Sequence, residues 1–136
     1  MLSSPALALV GIGIDLIETQ RVLRSLDRFG ERLVGRLMDP PEAGRLPREP
    51  AARARALALA IAAKEAASKA IGTGWSRGVY WRDVEVTLGE PPVLTLRAQA
   101  LADARRLGSD GRCLLRLEER DGVAIGEAWL LAGGSR

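Results

Sequence analysis

Histidine is absent from this 136-residue chain, so neither a histidine general base nor a Cys/His zinc site can be built from it. Cysteine occurs once, at Cys113; an internal disulfide is therefore excluded, and a reduced, cytoplasmic setting is expected. Aromatic residues are few, with three tryptophans, one tyrosine and one phenylalanine, and they form no series on which nucleic-acid bases could stack. No apolar run reaches the roughly 20 residues of a membrane span. The opening stretch meets Asp15 early, and Met1–Leu7 lacks the positive flank of an export signal. Neither membrane insertion nor export is expected. Lysine is also scarce: of 20 basic residues, only Lys64 and Lys69 are lysine, and they lie five positions apart. Net charge is only +3 despite a pI near 9.7. Charge alone therefore does not call for a nucleic-acid partner, and a basic face for an acidic protein is equally compatible.

What is present suits one compact unit. With 47% hydrophobic residues over 136 positions, one domain spanning residues 1–136 has enough material for a core, and two do not. Leu9–Asp15 alternates large and small residues, predicting a strand with Val10, Ile12 and Ile14 on one face and Gly11, Gly13 and Asp15 on the other. Two glycines on one face leave room for something to approach closely. From Ile17 to about Leu37 the spacing of Leu23, Leu26, Phe29 or Leu33, and Leu37 predicts a helix, with Arg21, Arg24, Arg28 and Arg32 on another stripe. Pro40, Pro41, Pro47 and Pro50 break the next stretch. Ala51–Ile71 predicts a long helix stopped by Gly72 and Gly74. Strands over Val79–Val86 and Val93–Arg97, a helix over Ala98–Leu107 capped by Gly108, and a hairpin of Cys113–Leu117 with Val123–Leu131 follow. The order points to an α+β fold, a mainly antiparallel sheet with a long packed helix.

Two carboxylates and two lysines stand out as possible chemistry. Leu57, Ile61, Glu65 and Lys69 recur every four residues, so Glu65 and Lys69 continue an apolar line toward the helix end. An ordinary i,i+4 ion pair would explain them equally well. Asp15, with Glu18 three residues on, matches a helix N-cap box. Alternatively, Asp15 and Glu65 meet as oxygen ligands for Mg²⁺, which takes one or two carboxylates together with substrate phosphates and water. Sparing two lysines in an arginine-dominated chain suggests a need for compact ammonium groups. Gly72, Thr73 and Gly74 serve as a helix stop or allow close backbone approach to a ligand. Neither a P-loop nor a dinucleotide fingerprint is present.

Read together, these segments resemble one family. Gly11-Ile12-Gly13-Ile14-Asp15-Leu16-Ile17-Glu18 with Arg21-Val22, then Arg28-Phe29-Gly30-x-Arg32, then Ala63-Lys64-Glu65-Ala66-Ala67-Ser68-Lys69-Ala70-Ile71-Gly72-Thr73-Gly74, then Gly78-Val79 and Trp81-Arg82-Asp83-Val84-Glu85-Val86, are similar to the ordered blocks of the holo-acyl-carrier-protein synthases. The resemblance implies a 4′-phosphopantetheinyl transferase fold and transfer of the phosphopantetheine arm of coenzyme A to a serine of apo acyl carrier protein, with release of 3′,5′-ADP. It further implies Mg²⁺ on Asp15 and Glu65, and Lys64 and Lys69 near the coenzyme A phosphates, with Gly72, Thr73 and Gly74 beside them. Glu65, or a water it orients, would serve as base, with Lys69 also catalytic. Arg21, Arg24 and Arg28 would dock the acidic carrier, unless they are simply a solvated basic face. A homotrimer with sites at subunit boundaries is implied as well.

The match departs from the family pattern in places. Ala60 stands where an arginine is usual, and Arg116-Leu117-Glu118-Glu119 replaces a Ser-x-Ser-His sequence. The usual Gly-x-Pro reads Glu90-Pro91-Pro92, and the usual Phe-Thr-x-x-Glu reads Met38-Asp39-Pro40-Pro41-Glu42. Each lost charge-assisted contact to coenzyme A would cost roughly 1.5–3 kcal/mol. Arg116 or Arg120 is expected to offset part of that. The rival readings are a non-catalytic relative that binds a carrier protein or nucleotide without transfer, and a small basic nucleic-acid-binding domain.

Overall fold

A computed structural model describes residues 8–74 and 81–134. In chain order the elements are β1 (Leu9–Glu18), α1 (Thr19–Phe29), α2 (Glu31–Leu37), α3 (Pro40–Ala43), α4 (Pro50–Ile71), a 3₁₀ turn (Trp81–Asp83), β2 (Val84–Thr87), β3 (Val93–Leu96), α5 (Ala98–Arg106), β4 (Ser109–Arg120) and β5 (Val123–Ala132). The three long strands form an antiparallel sheet in the order β1-β5-β4, and β2 and β3 pair as a separate antiparallel ribbon. This is the α+β arrangement that the sequence predicts.

Helix α4 is the centre of the molecule. Pro50 occupies its first turn, where a missing N–H costs nothing, and the Glu49 carboxylate accepts the backbone N–H groups of Ala51 and Ala52 at 3.0 and 2.7 Å. Gly72, at φ 86°, ends the helix and donates its N–H to the Ser68 carbonyl at 3.0 Å. Between these ends the helix is mostly alanine, and it is buried on nearly every side.

The small residues of α4 meet the glycines of the sheet. A methyl group placed on Gly13 would lie 1.8 Å from the Ala66 carbonyl oxygen, and one on Gly11 would lie 1.9 Å from that of Ala70. Gly126 on β5 faces Ala62 in the same way, at 2.6 Å. The close approach that Gly11 and Gly13 permit is therefore that of a helix backbone. On the opposite face of β1, Ile12, Ile14 and Leu16 are 54–62% exposed.

Several expectations change at element boundaries. The helix predicted from Ile17 begins at Thr19, because β1 stays paired with β5 as far as Glu18 opposite Val123. Asp15 therefore lies within the ladder opposite Gly126, and the N-cap reading is excluded. Gly30, at φ 57° and ψ −137°, divides the predicted helix into α1 and α2. The strand expected over Val79–Val86 begins only at Val84, after the 3₁₀ turn; positions 79 and 80 lie outside the described residues, as do Gly78 and Met1–Leu7. The hairpin is longer than predicted, and its two-residue turn is Asp121 and Gly122, both at positive φ.

Gly13→Ala is expected to lose about 3 kcal/mol or more of stability, since the added methyl group meets backbone that cannot yield like a side chain. Urea denaturation of the variant against the parent chain measures it; an unchanged midpoint would contradict the packing described.

Candidate active site

At the C-terminal end of α4, the Lys69 ammonium donates to Asp15 Oδ1 and to the Ile14 carbonyl, both at 3.0 Å. The Asp15 carboxylate is well covered at 17% exposure, whereas Lys69 is 52% exposed. This geometry follows from the glycines: only because α4 lies directly on β1 does a lysine on the helix reach a strand carboxylate. Glu65 is half-buried one turn earlier on the same helix face. Along the line Leu57, Ile61, Glu65, Lys69, exposure rises from fully buried to open, as the spacing predicts. No ion pair links Glu65 to Lys69 among the described residues, so the local helix-pair explanation of these two does not hold. Lys69 turns to the strand instead.

Lys64 does not join this group, which corrects its expected place beside phosphates. Its side chain is fully buried, and its three N–H donors have three acceptors: Glu42 Oε1 at 3.0 Å, the Trp81 carbonyl at 3.1 Å and the Val84 carbonyl. An ammonium has no fourth proton for a ligand. Glu42 is itself buried and uses Oε2 to accept the Val86 N–H at 2.9 Å. Desolvation holds the Lys64 pKa below its ordinary value, and the charge of Glu42 offsets part of that shift. The pair ties α3, α4, the 3₁₀ turn and β2 together. Sequence reading missed Glu42 as a functional partner; its signal was a glutamate kept in place within the otherwise altered Met38–Glu42 segment.

Both lysines now have a reason not to be arginine. At each, several acceptors converge on one nitrogen, and a planar guanidinium spreads its donors over three.

Beyond Lys69 the helix opens onto Gly72, Thr73 and Gly74. Both glycines have positive φ, and no described residue lies within 4 Å of where a Cβ would stand. Arg21, Arg24 and Arg28 are exposed on α1, and none forms an ion pair with another described residue; Arg28 lies 5.1 Å from the centre of the Phe29 ring. Ala60 is buried and lines a small cavity of about 60 Å³ with Met38, Glu42 and Arg45. Arg116 lines a cleft of about 360 Å³ with Leu59, Pro91, Pro92 and Leu115, while Arg120 pairs with Glu118 at 3.0 Å.

Comparison with known proteins places this geometry. Residues 11–124 match the model of the 4′-phosphopantetheinyl transferase superfamily. The chain belongs to that superfamily. A holo-[acyl-carrier-protein] synthase of Acidithiobacillus ferrooxidans is 40% identical over 128 residues, covering 93% of this chain and 99% of that one. One from a Methylobacterium species (strain 4-46) is 50% identical over 97 residues, 71% of each chain. Among solved structures, a holo-(acyl-carrier-protein) synthase of Bacillus anthracis in complex with CoA (3′,5′-ADP) aligns with a TM-score of 0.68 and 28% identity, over 94% of this chain and all of the other. Within the superfamily, the transferase thus groups with the holo-acyl-carrier-protein synthases. Among the described residues, no helix of the transferase is long and apolar enough to cross a membrane.

Removing one member of the buried pair strands the other. Lys64→Met is expected to destabilise the transferase by about 3–5 kcal/mol, and Lys64→Met with Glu42→Gln to recover at least half of that loss. Urea unfolding of the single and double variants reads the effect, and equal losses in both would show that the pair is not coupled.

Proposed function

We propose that the chain transfers the 4′-phosphopantetheine arm of coenzyme A to a serine hydroxyl of an apo acyl carrier protein and releases 3′,5′-ADP, with Mg²⁺ as cofactor. The observation that carries this reading is the meeting of Asp15 and Lys69 at the open end of α4, one turn from Glu65, in a chain of the phosphopantetheinyl transferase superfamily.

The donor set suits a hard, oxygen-preferring cation. Asp15 and Glu65 would hold Mg²⁺, and no cluster of three acidic, cysteine or histidine side chains exists among the described residues. Two carboxylates leave the remaining positions to substrate phosphates and water, which is the usual economy of Mg²⁺ sites. When bound, the ion neutralises charge on the pyrophosphate and makes 3′,5′-ADP a better leaving group. Lys69 contributes an ammonium on a half-exposed stem, able to follow a phosphate oxygen. The Glu65 carboxylate accepts the serine hydroxyl proton directly or through one water, since no histidine exists to do so. The exposed backbone at Gly72, with Thr73 and Gly74 beyond it, would let a ligand lie close. Arg116, beside the cleft formed with Pro91 and Pro92, supplies a cation that offsets the arginine missing at Ala60. The exposed stripe of Arg21, Arg24 and Arg28 receives the acidic carrier protein.

Incubation with coenzyme A, Mg²⁺ and an apo carrier protein is expected to add the phosphopantetheine arm to the carrier, seen by mass spectrometry. Asp15→Ala and Glu65→Ala should each cut the rate at least about a hundredfold while circular dichroism shows the fold intact. Failure of the parent chain to modify any carrier supplied would favour a binding role without transfer.

Assembly as a homotrimer, in a cytoplasmic setting, belongs to the same proposal. Its support is the outer face of the long sheet, where Ile12, Ile14, Leu16 and Leu114 are 47–62% exposed beside the half-buried Ile125 and Trp129. The charged Glu127 and Arg116, in the row of Ile14, divide this face into two apolar rows, Ile12–Trp129–Leu114 and Leu16–Ile125, whose exposure suits a subunit contact. Ile14→Arg is expected to convert trimers to monomers in size-exclusion chromatography with light scattering; a parent chain that is already monomeric would refute the assembly.

A further inference from the structure

We propose that Lys69 competes with the divalent cation for Asp15, so that entry of the cation releases the lysine for the phosphates of the substrate. The inference rests on the reading of Asp15 as a metal ligand. One carboxylate oxygen, Asp15 Oδ1, carries the Lys69 contact at 3.0 Å. A divalent cation drawn to that carboxylate meets a like charge already in place. The two partners differ in freedom: Asp15 is fixed within the β1 ladder and largely covered, whereas Lys69 is half-exposed on a flexible stem. It is therefore the lysine that gives way. Its second acceptor, the Ile14 carbonyl, is neutral and holds it less firmly than a carboxylate would.

Lys64 cannot take this role, because its ammonium is sealed with every donor used. Lys69 is also the sole basic side chain paired with Asp15 among the described residues. An ammonium displaced from Asp15 remains on the last turn of α4, which ends at the exposed Gly72. Phosphate oxygens arriving there would recapture it. Cation and coenzyme A thereby strengthen one another's binding through one side chain, and by linkage the effect is reciprocal.

The probe is Mn²⁺ binding to the intact chain, measured by electron paramagnetic resonance without coenzyme A. Lys69→Met and Lys69→Gln are expected to bind Mn²⁺ about three- to fivefold more tightly than the parent, the range set by loss of a partly exposed ion pair. Lys69→Arg, which keeps the charge, is expected not to tighten it. In a second titration, Mn²⁺ should strengthen coenzyme A binding less in Lys69→Met than in the parent. Unchanged or weaker Mn²⁺ binding in both neutral variants, or equal tightening in Lys69→Arg, would overturn the competition. Asp15→Asn separates the two levels. If it weakens Mn²⁺ binding while the Lys69 variants do not tighten it, only the competition fails. If it leaves Mn²⁺ binding unchanged, the metal assignment fails and the competition with it.

Discussion

The contact of a helix backbone with a glycine-lined strand is the constraint on which the rest of this structure depends. Gly11 and Gly13 on β1, with Gly126 on β5, let α4 lie against the sheet with carbonyl oxygens where side chains would ordinarily stand. An alanine-rich helix is the natural counterpart, because any larger residue at Ala62, Ala66 or Ala70 would hold the two apart. That closeness fixes where Lys69 arrives. The ion pair of Asp15 and Lys69 is thus seated by packing, because the close approach of α4 to β1 brings the ammonium within 3.0 Å of the strand carboxylate.

A second, polar anchor sets the other side of α4. The buried Lys64–Glu42 pair joins the helix to α3, the 3₁₀ turn and β2, with every donor of the lysine satisfied. Adjacent residues, Lys64 and Glu65, therefore differ in setting: one is sealed inside to hold the scaffold, and the other is half-buried on the helix face that carries Lys69. The helix period of about 100° per residue makes this division possible. Such a pair adds less to net stability than a good apolar contact would, but it tolerates few alternatives.

Much of this was legible in the residues, and the gaps have physical causes. The alternation in Leu9–Asp15 and the four-residue line ending at Lys69 were readable because strand and helix periods impose them directly. The extent of β1 was not, because Ile17 and Glu18 suit a helix start as well as a strand, and pairing with β5 decides between them. Gly30 looked like one more helix residue because its backbone angles, not its neighbours, mark the break. Lys64 was misplaced for a related reason. Both lysines share one motif, and only the tertiary position of Glu42, 22 residues upstream, shows which of them points inward. The departures at Ala60 and Glu119 were visible, but sequence could not tell that Ala60 is enclosed while Arg116 borders an open cleft.

The two faces of β1 also decide how the strand can be threaded. One carries glycines against backbone, the other isoleucine and leucine toward the outside. Sliding β1 by a single residue would turn Ile12 and Ile14 into a space that holds only hydrogen atoms, and would leave the glycines outside. Most strands resist such a slip because they lose apolar burial. Here the slipped register is refused by volume, so β1 has one address in the sheet even though its apolar face points away from the core.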